Sequence, residues 1–148
     1  MNTSNILIVD DTAFNIIPIK FMLHENYGLP IEIATNGKEA CEMYEEGLNK
    51  PCKCNLRTYT VIIMDLGMPV MCGQDASKII LAMMKKAEPG NELTHIVSLT
   101  SFTTQKTVDE CLKIGMKKVY FKPLSKEDLH EIMVNHFYRE SENSPVKK

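Results

Sequence analysis

Short apolar runs alternate with segments of helical period along this chain. Five runs rich in isoleucine and valine lie at residues 5–9, 31–34, 60–64, 95–99 and 118–121. Each is short and nearly continuous in its apolar character, which is typical of strands that are buried on both faces of a parallel sheet. The pattern therefore predicts five β-strands, each followed by a segment with the spacing of a helix.

The segments between these runs have the spacing of amphipathic helices. The clearest apolar stripe repeats at intervals of three and four residues and consists of Ala76, Ile79, Ile80, Met83 and Met84. Asn36 with Glu39, and Ser125 with Asp128, form capping-box patterns that predict the starts of two further helices.

Two positions bear on where the other helices begin and end. Gly115 is expected to end a helix over residues 104–114. Pro18 lies inside the first helical segment, near residues 13–24, so this helix is expected to start late or to bend.

Alternating strands and helices predict right-handed βαβ units, and hence an α/β fold with a parallel sheet and helices on both faces. The pattern extends through residues 1–139 as one domain. Residues 140–148 form a polar tail that is expected to fray. Two stretches, 48–59 and 85–93, carry proline and polar residues and are predicted to be surface insertions.

Composition narrows the class of protein. The chain has 148 residues, a net charge of -2 and a pI near 6.1, so it offers no broad basic face for nucleic acid. No signal peptide is recognisable, and no apolar run approaches the roughly 20 residues that span a bilayer. We therefore expect a soluble, cytoplasmic domain without direct membrane contact.

The five cysteines are scattered and odd in number, which favours reduced thiols. Cys52 and Cys54 lie close together, but a structural zinc site needs about four ligands and no second pair lies nearby. A polar surface loop is the preferred interpretation of this stretch.

Polar side chains follow four of the apolar runs directly. Asp10 and Asp11 follow the first run, Asp65 the third, Thr100 the fourth and Lys122 the fifth. The carboxyl ends of parallel strands form one edge of the sheet, where ligands bind, so these side chains are expected to converge there. Asp10 or Asp11 could instead cap a helix, while Thr100 and Lys122 could be ordinary surface residues. Those separate explanations leave the shared location unexplained.

The predicted cluster suits phosphoryl transfer. Neighbouring carboxylates repel one another unless a cation lies between them, and an open site with few oxygen ligands suits Mg²⁺. A carboxylate in such a site can attack phosphorus and form an aspartyl phosphate. Lys122 would neutralise charge on the transferring group, and the Thr100 hydroxyl would donate a hydrogen bond to it.

These motifs resemble the response regulator receiver domain of two-component and phosphorelay signalling. The matching segments are ILIVDD at 6–11, MDLGMP at 64–69 with Met71 and Gly73, LT at 99–100 and KP at 122–123. The resemblance implies a flavodoxin-like fold with strand order 2-1-3-4-5 and a cis Lys122–Pro123 bond. The resemblance fits either a stand-alone receiver or the receiver of a hybrid histidine kinase. In the second case the domain would be membrane-tethered.

The resemblance also implies a role for each site residue. Asp65 would be the phosphoacceptor, and Thr100 and Lys122 would contact the phosphoryl group. Asp11 and Asp65 would hold Mg²⁺ through their carboxylates, Gly67 through its carbonyl and Asp10 through water. The donor would be a histidine kinase or a histidine phosphotransfer protein.

The sequence departs from the family pattern at two positions. Val119 stands where receivers usually carry tyrosine or phenylalanine, and Tyr120 is expected to face the opposite side of its strand. Cys72 stands where aspartate or asparagine is common and is expected to be a small buried or half-buried thiol in a turn.

Three functions are compatible with these motifs. The favoured one is a signalling module that undergoes phosphorylation and dephosphorylation but is not a turnover enzyme. A Mg²⁺-dependent phosphohydrolase would need a substrate pocket and an acid or base, for which the sequence offers no candidate. A degenerate receiver that acts only as a scaffold is disfavoured by the complete set of site residues.

Overall fold

The computed structural model describes residues 6–49, 59–101 and 104–139. Five strands alternate with five α-helices in these residues, and a π-helical turn continues the last helix. The elements are β1 (Ile6–Val9), α1 (Ala13–Tyr27), β2 (Glu32–Ala34), α2 (Gly37–Leu48), β3 (Val61–Asp65), α3 (Gly73–Ala87), β4 (His95–Thr100), α4 (Gln105–Ile114), β5 (Lys118–Phe121), α5 (Lys126–Ile132) and the π-turn (Met133–Phe137).

The strands form one parallel sheet in the order β2-β1-β3-β4-β5. This order confirms the predicted α/β fold. Strand β1 lies inside the sheet, and its residues alternate between the two faces: Leu7 and Val9 pack into one core, Ile6 and Ile8 into the other. Burial on both faces explains why the strand is apolar at every position.

Each face of the sheet is covered by helices. On one face the core includes Tyr44 of α2, Ile80 of α3 and Cys111 of α4. On the other face it includes Ile19 of α1 and Leu129 of α5. The prediction of helices on both faces is therefore confirmed.

The predicted helix caps are present. Asn36 Oδ1 accepts a hydrogen bond from the Glu39 N–H at 2.8 Å and caps α2. Ser125 and Asp128 form a reciprocal capping box at the start of α5. Gly115 ends α4 with a φ of 122°, a conformation that strains residues with a Cβ atom.

Pro18 predicted that helix α1 would start late or bend, and the late start is wrong. The helix begins at Ala13, where the Thr12 carbonyl accepts hydrogen bonds from the N–H groups of Asn15 and Ile16. Pro18 is the sixth helical residue, so only the one hydrogen bond that its N–H would have donated to the Phe14 carbonyl is lost. A full turn bonded before the proline explains why the helix can begin where it does.

The predicted insertions are described in part. Helix α3 extends to Ala87, and a turn at Gly90, with a φ of 85°, leads towards β4. Residues 50–58 with Cys52 and Cys54, and the tail 140–148, lie outside the described residues. Within the described part of the chain, no helix combines the length and apolar character needed to span a membrane.

Candidate functional site

Three aspartates meet at the carboxyl edge of the sheet. Carboxylate oxygens of Asp10, Asp11 and Asp65 all lie within 4.8 Å of one another. Asp10 and Asp65 are only 2% and 4% exposed, whereas Asp11 is open to solvent. The convergence that the strand ends predicted is therefore present, and one member of the cluster remains accessible from outside.

Lys122 joins the two buried carboxylates. Its Nζ lies 3.1 Å from Asp65 Oδ1 and 3.3 Å from Asp10 Oδ2, and its side chain is largely buried. The Lys122 N–H donates to the Thr100 carbonyl at 2.9 Å, and the Lys122–Pro123 bond is cis, as the resemblance implied. The lysine is thus not a solvated surface residue.

Asp10 also organises the start of α1. Its Oδ1 accepts hydrogen bonds from the Thr12 N–H at 3.0 Å and from Asn15 Nδ2 at 3.4 Å. Asp10 does not cap the helix itself, because Thr12 is the N-cap residue and the helix has no side-chain capping hydrogen bond. The Asp10 carboxylate instead fixes the turn that leads into α1 while it also contacts Lys122. Sequence reasoning missed Asn15, because an amide one turn into a helix carries no signal of what it contacts.

Burial raises the pKa of Asp65 above its ordinary value, and the neighbouring Asp10 carboxylate raises it further. The Lys122 ammonium and the Gly67 N–H, which lies 3.4 Å from Asp65 Oδ1, act in the opposite direction and lower this pKa. The charged form of Asp65 thus depends on the cation beside it.

The backbone after Asp65 is packed too closely to accept larger residues. A Cβ atom on Gly73 would lie 2.2 Å from the Asp65 carbonyl oxygen, and one on Gly37 would lie 2.6 Å from the Met71 carbonyl oxygen. The Gly73 N–H donates to the Leu66 carbonyl at 3.0 Å. The two glycines therefore allow the loop between β3 and α3 to pack closely against the end of β3 and the start of α2.

Thr100 is the last residue of β4 and is 1% exposed. Strand β4 pairs with β3 so that Leu99 is the partner of Asp65, which places Thr100 one residue further along the same edge. On its other side Thr100 is paired with Phe121, the last residue of β5. Thr100 therefore lies between the carboxyl ends of β3, which leads to Gly67, and β5, which leads to Lys122.

The two departures from the family pattern have the predicted surroundings. Val119 packs against the core under α2, α3 and α4, whereas Tyr120 is buried in the opposite core. The Tyr120 hydroxyl donates to Glu131 at 2.7 Å. Cys72 is half-buried at the start of α3, where its side chain makes no capping hydrogen bond.

The chemistry of the cluster fits a magnesium ion. Three carboxylates face a single ammonium, so the described site retains an excess of negative charge. Hard oxygen ligands with an open, solvent-facing side are what Mg²⁺ prefers. Asp11, which makes no ion pair among the described side chains, supplies that exposed oxygen.

Comparison with known proteins decides the family. The model of the response regulator receiver domain matches residues 6–134. The chain belongs to this family. As a receiver domain of two-component signalling, it is 32% identical over 121 residues to the aerobic respiration control sensor protein ArcB of Escherichia coli, covering 82% of this chain and 14% of that protein. It is 32% identical over 128 residues to the osmosensing histidine protein kinase SLN1 of Saccharomyces cerevisiae, covering 86% of this chain and 10% of SLN1.

Solved receivers share the fold. The receiver domain of Ssk1 from Saccharomyces cerevisiae, crystallised with the histidine phosphotransfer protein Ypd1, superposes with a TM-score of 0.73 and 26% identity, covering 89% of this chain and 88% of that one. A CheX–CheY–BeF3–Mg complex from Borrelia burgdorferi gives a TM-score of 0.73 at 23% identity, covering 90% and 89%. The chain spans only 14% of the length of ArcB and 10% of that of SLN1, so the similarity concerns their receiver domains and not the activities of the whole proteins.

Proposed function

We propose that this receiver accepts a phosphoryl group on Asp65 from a phosphohistidine partner, in a Mg²⁺-dependent reaction, and so switches or relays a signal. The observation that carries the proposal is the contact of the buried Asp65 carboxylate with Lys122 at 3.1 Å, beside two further aspartates. A structural ion pair alone would need no cluster of three carboxylates.

Asp65 is the nucleophile. A carboxylate oxygen attacks the phosphorus while the bond from phosphorus to the imidazole nitrogen breaks, and that nitrogen keeps the electron pair. The other ring nitrogen of the phosphohistidine carries a proton, so the histidine leaves in its neutral form and an aspartyl phosphate remains. Little covalent assistance is needed in phosphoryl transfer, so position and charge dominate the rate. The pairing of Asp65 with Lys122 supplies both.

Lys122 and Thr100 act on the transferred group. The Lys122 ammonium, already within 3.1 Å of Asp65, neutralises charge on the phosphoryl oxygens. The Thr100 hydroxyl, at the neighbouring strand end, donates a hydrogen bond to one of them. Neither residue changes its covalent state in this step.

Magnesium would be held by the carboxylates of Asp11 and Asp65 and the carbonyl of Gly67, with Asp10 acting through water. When bound, the ion supplies positive charge against the phosphoryl oxygens. Asp10 is suited to the indirect role, because its two oxygens already serve Thr12, Asn15 and Lys122.

The partner is a histidine kinase or a histidine phosphotransfer protein. Relatives of the chain include hybrid histidine kinases, and the Ssk1 receiver was crystallised with Ypd1. A groove of about 530 Å³ beside Lys122 and Pro123 is bordered by the exposed side chains of Phe14 and Ile17 on α1. This apolar surface beside the site suits the docking of a protein that delivers its phosphohistidine to Asp65.

Phosphorylation of the purified chain tests the proposal. Incubation with acetyl phosphate and Mg²⁺ should add one phosphoryl group by intact mass, and Asp65→Asn should abolish the gain. Asp75→Asn, an exposed carboxylate in the first turn of α3, is the matched control and should retain it. A stoichiometric adduct on the Asp65→Asn variant would show that the acceptor lies elsewhere.

A further inference from the structure

A groove separates α3 from α4 on the surface of the domain. It consists of two adjoining cavities of about 590 and 500 Å³, which share the side chains of Lys78 and Ile114. The groove begins at Cys72, where α3 starts, and continues to Lys86 near the end of that helix. At about 1.5 Å per residue, this part of α3 is about 20 Å long, which leaves room for a partner helix of about 14 residues.

Lysine dominates the charge of this groove. Four lysines line it, Lys78, Lys85 and Lys86 on α3 and Lys113 on α4, against one acidic side chain, Glu110. All four are exposed, and within the described part of the chain none of them forms an ion pair or a side-chain hydrogen bond. The whole chain has a net charge of -2, so the groove is a local concentration of positive charge on an acidic domain.

Several lysines on other surfaces have acidic partners. Lys38 pairs with Glu42 at 3.0 Å, and Lys118 pairs with Glu131 at 2.9 Å. Ammonium groups gathered along one groove repel one another and attract an anionic partner. Since one glutamate faces four lysines there, most of this charge is not compensated within the described fold.

The floor of the groove is apolar and closed. Leu81 and Ile114 line it, and Leu81 also packs against the core beneath α3. A Cβ atom on Gly115 would lie 3.0 Å from Leu81 Cδ1, so the end of α4 lies directly against α3. A segment that fills the groove therefore needs anionic groups for its edges and apolar side chains for its floor.

We propose that the groove between α3 and α4 binds an acidic segment of a partner protein, whose carboxylates contact the lysines and whose apolar side chains contact Leu81 and Ile114. Charge complementarity selects this chemistry. No aromatic side chain among the described residues lines the groove, so a nucleic acid would find no stacking surface there. The proposal goes beyond the proposed phosphoryl transfer and does not depend on it.

This binding is compatible with docking of the phosphoryl donor. Helices α3 and α4 cover one face of the sheet, whereas α1 and α5 cover the other. The donor is proposed to dock beside α1, so an acidic segment between α3 and α4 leaves that surface open. Both partners can therefore occupy the domain at the same time.

Two double variants with the same net charge test the proposal. Lys78→Glu with Lys113→Glu reverses charge on both sides of the groove. Lys20→Glu with Lys126→Glu makes the same change at exposed lysines of α1 and α5, away from the groove, and is the matched control. The probe is a synthetic peptide of about 14 residues, built of glutamate with leucine at every fourth position, and its counterpart carries glutamine for each glutamate.

Calorimetric titration at low salt measures the affinity, and backbone amide shifts locate the peptide. The unaltered chain and the control variant should bind the glutamate peptide with shifts along α3 and α4, and the glutamine peptide should bind weakly. The groove variant should lose about tenfold in affinity, as expected when exposed ion pairs become repulsive contacts. The neutral pair Lys78→Gln with Lys113→Gln should lose less. Thermal unfolding should be unchanged, because these side chains are exposed.

Four results would overturn the proposal. They are the absence of glutamate-peptide binding by the unaltered chain, an equal loss of affinity in both double variants, tighter binding of a single-stranded DNA of the same charge in the groove, and self-association that the groove variant abolishes. The second would show an effect of net charge alone, and the third a nucleic-acid site. The fourth, measured by sedimentation, would identify a second copy as the occupant, since α2 exposes Glu42, Glu45 and Glu46.

Discussion

The Lys122 ammonium lies 3.1 Å from Asp65 Oδ1, and this contact opposes the two effects that raise the pKa of Asp65. Burial and the Asp10 carboxylate both favour the protonated form of Asp65, whereas a charged nucleophile is required for attack on phosphorus. Lys122 therefore favours the charged form of Asp65 before any phosphoryl group arrives, and it neutralises charge on the phosphoryl oxygens afterwards.

Replacing Lys122 tests this double role. Lys122→Gln should lower the rate of phosphorylation by acetyl phosphate by about 10²-fold, the usual cost of removing one charge-stabilising donor. Mg²⁺ binding, followed by calorimetric titration, should be retained or tightened, because a positive charge has left the site. Lys118→Gln changes an exposed lysine on the same strand that pairs with Glu131, and should leave the rate unchanged. Loss of Mg²⁺ binding in Lys122→Gln would instead indicate collapse of the site.

Asp10 and Asp11 should differ although they are neighbours in sequence. Asp10→Ala removes the acceptor of the Thr12 N–H and a partner of the mostly buried Lys122, so it should lower the free energy of unfolding by about 1–3 kcal/mol. Asp11 is exposed, so Asp11→Ala should leave stability within about 0.5 kcal/mol while weakening Mg²⁺ binding.

Urea unfolding without metal, paired with Mg²⁺ titration, separates the two roles. Asp10→Asn is the matched control for Asp10→Ala, because it retains an oxygen that can accept from Thr12 while removing the charge. Equal destabilisation by Asp10→Ala and Asp11→Ala would contradict the described difference in burial. Unchanged Mg²⁺ affinity in Asp11→Ala would count against the proposed metal ligands.

A pair of histidines at the opposite edge of the sheet predicts a pH dependence of stability. His95 Nδ1 and His136 Nδ1 lie 2.9 Å apart, which requires that one ring donate and the other accept. Burial, together with the cationic Arg139 and Lys117, lowers the pKa of His95 to about 4, although the Glu92 carboxylate acts in the opposite direction. Burial and the same two cations also lower the pKa of His136. The folded state therefore binds fewer protons than the unfolded state between about pH 4 and pH 6.5.

The direction in which stability changes with pH follows from this difference in bound protons. Stability should fall as pH decreases from about 6.5 towards 4, because these histidines bind protons in the unfolded chain but not in the folded one. Urea unfolding at several pH values measures the slope. His95→Gln should flatten it, while His24→Gln, a change at an exposed histidine on α1, should retain it. An unaltered slope in His95→Gln would contradict this origin of the pH dependence.

The acidic cluster could be predicted from sequence because strand ends alone determine it. Asp10, Asp65 and Lys122 each follow an apolar run directly, and a parallel sheet brings all such positions to one edge. The α/β class followed from the same alternation of strands and helices, whereas the strand order 2-1-3-4-5 came from the resemblance to receiver domains.

Other features depended on contacts between distant segments. Val70 adopts a positive φ of 71° in a loop that the N–H groups of Gly37 and Gly73 bind by hydrogen bonds, and neither glycine signals these contacts in sequence. The histidine pair joins β4 to the π-turn across 41 residues. The late start of α1 expected from Pro18 was wrong, since local propensity gives no weight to a turn already bonded before the proline.

The face of β5 towards α4 determines how a signal could spread from Thr100. Thr100 shares a face of the sheet with Ser98 and Ile96, and its partner Phe121 shares that face with Val119. Phe121 is the aromatic residue on this side of β5, and it is 43% exposed. Val119, at the position where receivers usually carry an aromatic ring, is β-branched and has few alternative rotamers.

We therefore expect a muted rearrangement around α4, β5 and α5 when the Asp65 site is occupied. A ligand shifts an equilibrium only by its difference in affinity for two states, and Val119 supplies no second packing arrangement of comparable size. Backbone amide shifts, mapped by NMR with and without beryllofluoride and Mg²⁺, should be large near Asp65 and Thr100, small across α4 and α5, and on β5 greatest at Phe121. Phe121→Leu, which removes the ring beside Thr100 but keeps an apolar side chain, should reduce the β5 shifts only locally. Shifts across α4 and α5 as large as those beside Asp65 would show that this receiver switches through that face without an aromatic residue at Val119.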